Sequence, residues 1–244
     1  LALPGPNYYR EELLREYGCW FFTMLAFWLA MRWADAPRWG SAIIVQISLG
    51  TAVLFRPEAL AFFPALVMWQ FFSAPRGHKL QRMSMIGGLP LLGIATLVFL
   101  FLSGQLEAGQ RLAGEFSRIN AARFDAKTKA LADALIPYAK DQAGTILFLG
   151  SIAIIPLKFV KQLGFFVVPL VVLFQSGGLR QAISKVPLFA WALLAHLLVL
   201  AAFVVDMQFL AGRYVAVLSL LSAPFIGIGV WQLTQRFPRW KKTV

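Results

Sequence analysis

Residues 41–73 read SAIIVQISLGTAVLF-RPE-ALAFFPALVMWQFFS. Two apolar blocks, Ser41–Phe55 and Pro57–Ser73, are divided only by Arg56 and the proline after it. They hold 15 and 17 residues, which is about 22–26 Å of helix. A hydrocarbon core is ~30 Å thick, so the hairpin tip Arg56-Pro57-Glu58 is expected below the membrane surface. Ionisable groups at that depth default to a functional site. Proline at a first helical position and glutamate in a first turn also suit an ordinary helix start. From spacing alone the two readings weigh equally.

The rest of the chain follows the same pattern. Of 244 residues 59% are apolar and 14% charged, with 22 Phe and eight Trp, and mean hydropathy is +0.69. A soluble domain carries about 25% charge and roughly 45–50% apolar residues. This composition excludes a soluble enzyme, a disordered chain and a disulfide scaffold. Further blocks run over Tyr17–Trp33, Met85–Leu106, Val186–Val205 and Tyr214–Leu233. The stretch Thr145–Gln175, interrupted by Lys158 and Lys161, would be ~46 Å of helix, too long for one straight crossing. One crossing at Leu163–Gln175 is expected, with Thr145–Val160 at the outer interface. The fold class expected is all-α: a polytopic transmembrane helix bundle of about seven spans with interfacial amphipathic helices. Residues 1–244 form one transmembrane domain, and 107–162 an outer interfacial segment within it. There Leu112, Phe116 and Ile119 recur at helical spacing, as do Leu131 and Leu135, and Pro137-Tyr138 ends the second piece. Leu1 is followed by no charged n-region and cleavage site, so the chain reads as the later part of a longer protein.

The charge pattern orients the bundle. With seven crossings the short inner segments hold 11 cations: Arg32, Arg38, Arg76, Lys79, Arg82, Arg180, Lys185, Arg236, Arg239, Lys241 and Lys242. The short outer segments hold four: Arg10, Arg15, Arg56 and Arg213. Under the positive-inside rule the amino end is then outside and the tail cytoplasmic. All acids but Asp35 fall outside, a hint that polar chemistry lies on the outer face. The net charge of +12 reads as topology and lipid contact, not nucleic-acid binding, which needs a soluble basic face.

Motifs of soluble enzymes are absent: GxxxxGK[ST], HExxH, GxSxG and GxGxxG do not occur. His78 and His196 are too few and too far apart for a metal site, and Cys19 is alone. No metal or cofactor is expected. His196 lies mid-span, where a hydrogen bond to a neighbouring helix is the default. Arg213-Tyr214 opens the last span. It reads as an interface anchor or as a phosphate-binding arginine, whose guanidinium grips phosphate oxygens in pairs. Before the first span, Glu16 is the acid nearest the membrane and the best placed to point into a cavity.

Three short runs resemble one family. Arg15-Glu16-Tyr17-Gly18-Cys19-Trp20-Phe21-Phe22 is similar to the "RE-x-x-x-x-F" helix opening of GT-C-type glycosyltransferases. Gly50-Thr51-Ala52-Val53-Leu54-Phe55-Arg56-Pro57-Glu58-Ala59-Leu60 resembles their "G-x-x-x-L-x-RPE-x-L" segment. Gly212-Arg213-Tyr214-Val215-Ala216-Val217-Leu218 resembles their late "RY-x-x-P" span start, with Ala216 or Val217 where relatives often carry proline. The relatives suggested are bacterial members of the dolichyl-phosphate-mannose–protein mannosyltransferase group. The resemblance implies a multi-span, inverting enzyme of the cell inner membrane. Such an enzyme moves a hexose or pentose from a polyprenyl-phosphate carrier to an acceptor on the periplasmic face. It also implies a catalytic aspartate in a first outer loop, which would lie upstream of Leu1, so a fragment beginning at Leu1 is expected to be inactive alone. Arg56, Glu58, Arg213, Tyr214 and Glu16 are the substrate-binding candidates. Cationic donors there would meet the charge developing on the leaving phosphate. The alternatives are a transporter, polymerase or ligase for lipid-linked saccharides, or a non-enzymatic membrane subunit.

The charge bias predicts that residues 74–84 and the carboxy-terminal tail both face the cytoplasm. In a Cys19→Ser background, cysteines placed at Ser73 and Lys242 should resist a membrane-impermeant thiol reagent added from outside. Labelling of both from that side would overturn the orientation.

Overall fold

A computed structural model of the chain describes residues 15–102 and 121–236, and every regular element among them is helical. Helix α1 is Arg15–Asp35 and α2 is Trp39–Phe55, followed by a 3₁₀ turn at Pro57–Ala61 and then α3 at Phe62–Ser73. A short turn at Arg76–His78 leads to α4, Lys79–Leu102. Helix α5 is Ala121–Ala134, and a 3₁₀ turn at Pro137–Gln142 precedes α6, Ala143–Leu163. Then come α7 (Val167–Gln175), α8 (Leu179–Lys185), α9 (Pro187–Met207) and α10 (Gly212–Arg236). Leu112, Phe116 and Ile119 lie outside the described residues; Leu131 falls in α5, which ends before Pro137.

Prolines set several of these boundaries. Helix α2 stops at Phe55 because Pro57 disfavours helical backbone at Arg56, which is extended (φ −149°, ψ 112°). Pro187 opens α9 at the position where a missing N–H is harmless.

Three runs among the described residues are long and apolar enough to cross a membrane: Pro137–Gln175, Pro187–Met207 and Gly212–Gln235. The apolar helix Trp39–Phe55 is shorter. The apolar blocks suggested more crossings, about seven. Part of the difference is physical: α1 spends its 21 residues partly on Arg15, Glu16, Arg32 and Asp35, and the 3₁₀ turn leaves α3 only 12. Many large apolar side chains point outward, among them Phe21, Ile47, Leu92, Phe148, Leu157 and Leu198. In water such a surface would aggregate; against lipid tails it is the expected one, so the fold suits a bilayer.

The Thr145–Gln175 stretch differs from expectation. Its lysines do not break the helix. Lys158 Nζ donates to the Leu210 carbonyl in the α9–α10 turn and the Gln162 side-chain amide to that of Gly212, the first residue of α10. Ile155 packs in one cluster with Leu200, Val204, Leu210, Val215 and Leu218. The break falls at Gly164, whose φ of 53° suits glycine alone. Helix α7 has nine residues, about 14 Å, so a crossing confined to Leu163–Gln175 is too short; it needs part of α6. Helix α5 joins the same end of the bundle, with Lys127 Nζ donating to the Asp206 carbonyl at 2.6 Å.

The remaining helices pack through small residues and the buried amide of Gln46. Helix α1 lies along α2, with Ala26, Ala30, Ala42 and Ala52 fully buried, and small side chains let membrane helices approach closely. Gln46 of α2 spans the two ends of one α4 turn: its Nε2 donates to the Met85 carbonyl (2.6 Å) and its Oε1 accepts from the Leu89 N–H (3.1 Å). That turn precedes Pro90, where the helix ladder is already weakened. Helix α3 packs on α9, and α7 on α10.

The α7–α10 contact has backbone against backbone. A Cβ on Gly229 would stand 2.3 Å from the Pro169 carbonyl oxygen, whereas one on Gly227 would meet nothing within 4 Å. Gly229→Ala should therefore lower stability by about 1–3 kcal/mol, and Gly227→Ala should leave it near wild type. Thermal unfolding of the purified variants in detergent checks this, and equal midpoints for the two would refute the close approach.

Candidate functional site

Three segments far apart in sequence meet at the Arg56 end of the bundle. Glu16 lies in the first described turn of α1. Arg56 and Glu58 stand at the α2–α3 corner, where the extended Arg56 and the 3₁₀ turn behind Pro57 turn the two side chains to the same side. Arg213 and Tyr214 open α10, just after the left-handed Gln208 (φ 53°) ends α9. All five residues singled out in the sequence line one cavity.

Glu16 holds them together. Its carboxylate accepts a charge-assisted hydrogen bond from Arg56 Nη2, and Arg213 Nε lies 3.5 Å from the same Oε1. Arg56 Nη1 is 3.6 Å from Glu58 Oε1. The Tyr214 ring serves both guanidiniums, with Arg56 Cζ 4.9 Å and Arg213 Cζ 5.6 Å from its centroid, cation–π contacts in each case. Two cations and two anions leave the cluster neutral. Burial differs sharply: the Glu16 side chain is 7% exposed, Arg56 20% and Arg213 43%. Glu16, pointing inward, is thus the anion that a recessed Arg56 requires; Glu58 is a second and more distant one.

Beneath the cluster sits His196. Its Nε2 donates to the Tyr214 carbonyl at 3.0 Å, the inter-helix hydrogen bond expected of a mid-span histidine, and its ring stacks on Phe62 at 5.9 Å. His196 thereby ties α9 to the first turn of α10 and the start of α3. The cavity measures about 30 Å³, enough for a water or two and far too small for a sugar ring. Two acceptors around it, Glu58 Oε2 and His196 Nδ1, have no hydrogen-bond partner. Among the described residues no group of His, Cys, Asp and Glu could hold a metal ion.

Gly18 is a feature that the sequence reasoning passed over. A Cβ there would lie 2.6 Å from the Phe55 ring, and that ring also stacks on Phe22 at 5.9 Å. The missing side chain lets Phe55 settle against α1, which brings its neighbour Arg56 to Glu16. The signal was available as glycine at position 18, but its partner is 37 residues away.

The geometry makes Glu16 and Arg56 energetically coupled. Glu16→Gln should destabilise the fold more than Glu58→Gln does, because removing one partner of a mostly buried pair leaves the other charge uncompensated. In a double-mutant cycle, Glu16→Gln and Arg56→Gln should couple by about 0.5–3 kcal/mol, read as unfolding in detergent. Strict additivity would show that the contact contributes nothing to the fold.

Compared with protein-family models, curated proteins and solved structures, the chain matches none.

Proposed function

We propose that the chain is part of a membrane-bound glycosyltransferase of the GT-C type, with about seven spans and its active face outside the inner membrane. It moves a sugar from a polyprenyl-phosphate carrier to an acceptor. The observation that carries the reading is convergence. The three runs that resemble that family lie 40 and 157 residues apart, counted from Glu16 to Arg56 and from Arg56 to Arg213, and their charged residues meet in one recessed cluster. A loop cation with a purely topological role needs no such company.

Each residue's role follows from its exposure. Arg56, held by Glu16 and Tyr214, acts as a fixed positive floor. Arg213 is the more open guanidinium, 43% exposed against 20% for Arg56, so it is the better contact for a leaving phosphate. The sugar sits outside the small cavity, with Glu58 available to a hydroxyl. The neutral balance of the cluster favours one second reading, a membrane subunit in which these charges only fasten helices.

The two readings separate in the complete gene product. Arg213→Ala and Arg56→Ala should each lower transfer from a polyprenyl-phosphate sugar by at least about tenfold, ~1.4 kcal/mol of transition-state stabilisation. Arg213→Ala should do so with a smaller fall in unfolding midpoint than Arg56→Ala, because its guanidinium is the more exposed and the more distant partner of Glu16. If Arg213→Ala and Arg56→Ala both insert and transfer sugar at the wild-type rate, the cluster is structural.

A further inference from the structure

The opposite end of the bundle has the reverse character. The α1–α2, α3–α4 and α8–α9 corners carry seven lysines and arginines, and Asp35 is the one acid there among the described residues. Some of these cations have internal roles. Arg82 donates to the Ala34 carbonyl at 3.2 Å, and Lys79 lies over the Phe71 ring at 5.0 Å.

Arg32 and Arg38 are different. They flank a cavity of about 430 Å³ at the α1–α2 corner, whose walls include Trp28, Leu29, Trp33 and Ser41. That volume falls in the ~300–1,000 Å³ range of ligand sites. The Arg32 guanidinium lies 5.1 Å from the Trp28 ring centroid, which holds it beside the opening. The corner itself is fixed: the Trp33 indole N–H and the Ser41 hydroxyl both donate to the Arg38 carbonyl, at 3.1 and 3.0 Å. Neither guanidinium has a carboxylate partner among the described residues; the ion pairs found there all belong to the Glu16 cluster.

We propose that this corner binds the phosphodiester headgroup of an anionic glycerophospholipid from the adjoining leaflet. Two unpaired guanidiniums present forked donors that match phosphate oxygens. The floor beside them is hydrocarbon: Leu29 and Ile44 line the cavity, and Ile44 and Ile47 continue outward as exposed apolar surface. An anion site opening onto an apolar helix face suits a molecule with a phosphate and acyl chains together, and a soluble phosphate would use only half of it. The indole of Trp28 supplies the amphipathic edge typical of the headgroup level. Basic pockets of this kind between membrane helices select anionic headgroups. The inference is independent of the catalytic reading, since the site lies at the other end of the molecule.

Native mass spectrometry of the full chain, released from mixed micelles of phosphatidylglycerol and phosphatidylcholine, tests it. Wild type should retain phosphatidylglycerol at least about fivefold over phosphatidylcholine. Arg32→Gln with Arg38→Gln should abolish the preference, while the control pair Arg180→Gln with Lys185→Gln should keep it. Should the first pair fail to insert, Arg32→Lys with Arg38→Lys keeps the positive-inside signal; it should weaken the preference at least about threefold by losing the forked contact. Glycerol 3-phosphate in excess should not displace the lipid. Equal loss in the test and control pairs would reduce the effect to diffuse charge and overturn the site. So would an unchanged preference in the Arg32/Arg38 variants, or displacement by the soluble phosphate.

Discussion

The structure turns on one buried carboxylate. Glu16 is 7% exposed, and an ionised carboxylate out of water is tolerable only with cationic partners and hydrogen bonds. It receives them from two other segments, the α2–α3 corner and the start of α10. A charge that needs both arginines cannot be satisfied by α1 alone, nor by the hairpin alone. The requirement therefore specifies how three segments of the bundle meet at one end. Van der Waals packing of small residues holds α1 to α2, but it is indifferent to a one-turn slip in a way that this ion cluster is not.

The supporting parts serve the same register. Pro57 forces the corner and extends Arg56; Gly18 admits the Phe55 ring; His196 fastens the Tyr214 carbonyl beneath. On the far side of the α9–α10 turn, Lys127, Lys158 and Gln162 give their donors to the carbonyls of Asp206, Leu210 and Gly212. The end of a helix leaves carbonyls without helical partners, and long side chains that bury their stems and carry a polar head can reach those of Asp206 and Leu210. Helices α5 and α6 are thereby tied to the end of the molecule that holds the charged cluster.

The two ends of the bundle treat cations oppositely. At one end every charge in the cluster has a counter-charge, the cavity is small, and the geometry is fixed. At the other, Arg32 and Arg38 have no carboxylate partner among the described residues and stand around a roomy corner. Pairing removes a guanidinium's demand for an outside anion, while an unpaired pair at headgroup depth retains it. The difference separates a preorganised site from a surface that recruits lipid.

Composition and the spacing of apolar blocks were enough to read an all-helical membrane chain, because a bilayer imposes length and apolarity directly on the sequence. Helix ends were legible where proline enforces them, at Arg56-Pro57 and just before Pro137. Glu16, Arg56, Glu58, Arg213 and Tyr214 were also legible as candidates, since ionisable groups beside apolar runs are rare. The sequence misled where lysine was read as an interruption: Lys158 stays within α6 because its ammonium finds a carbonyl that only the folded α9–α10 turn provides. It left open which anion answers Arg56, Glu16, Glu58 or a lipid phosphate, and was silent on the Gly18–Phe55 fit and on the Gly229–Pro169 approach. Each of these is a contact between residues 37 to 60 positions apart, and local pattern encodes the need of a side chain, not the partner that tertiary packing delivers.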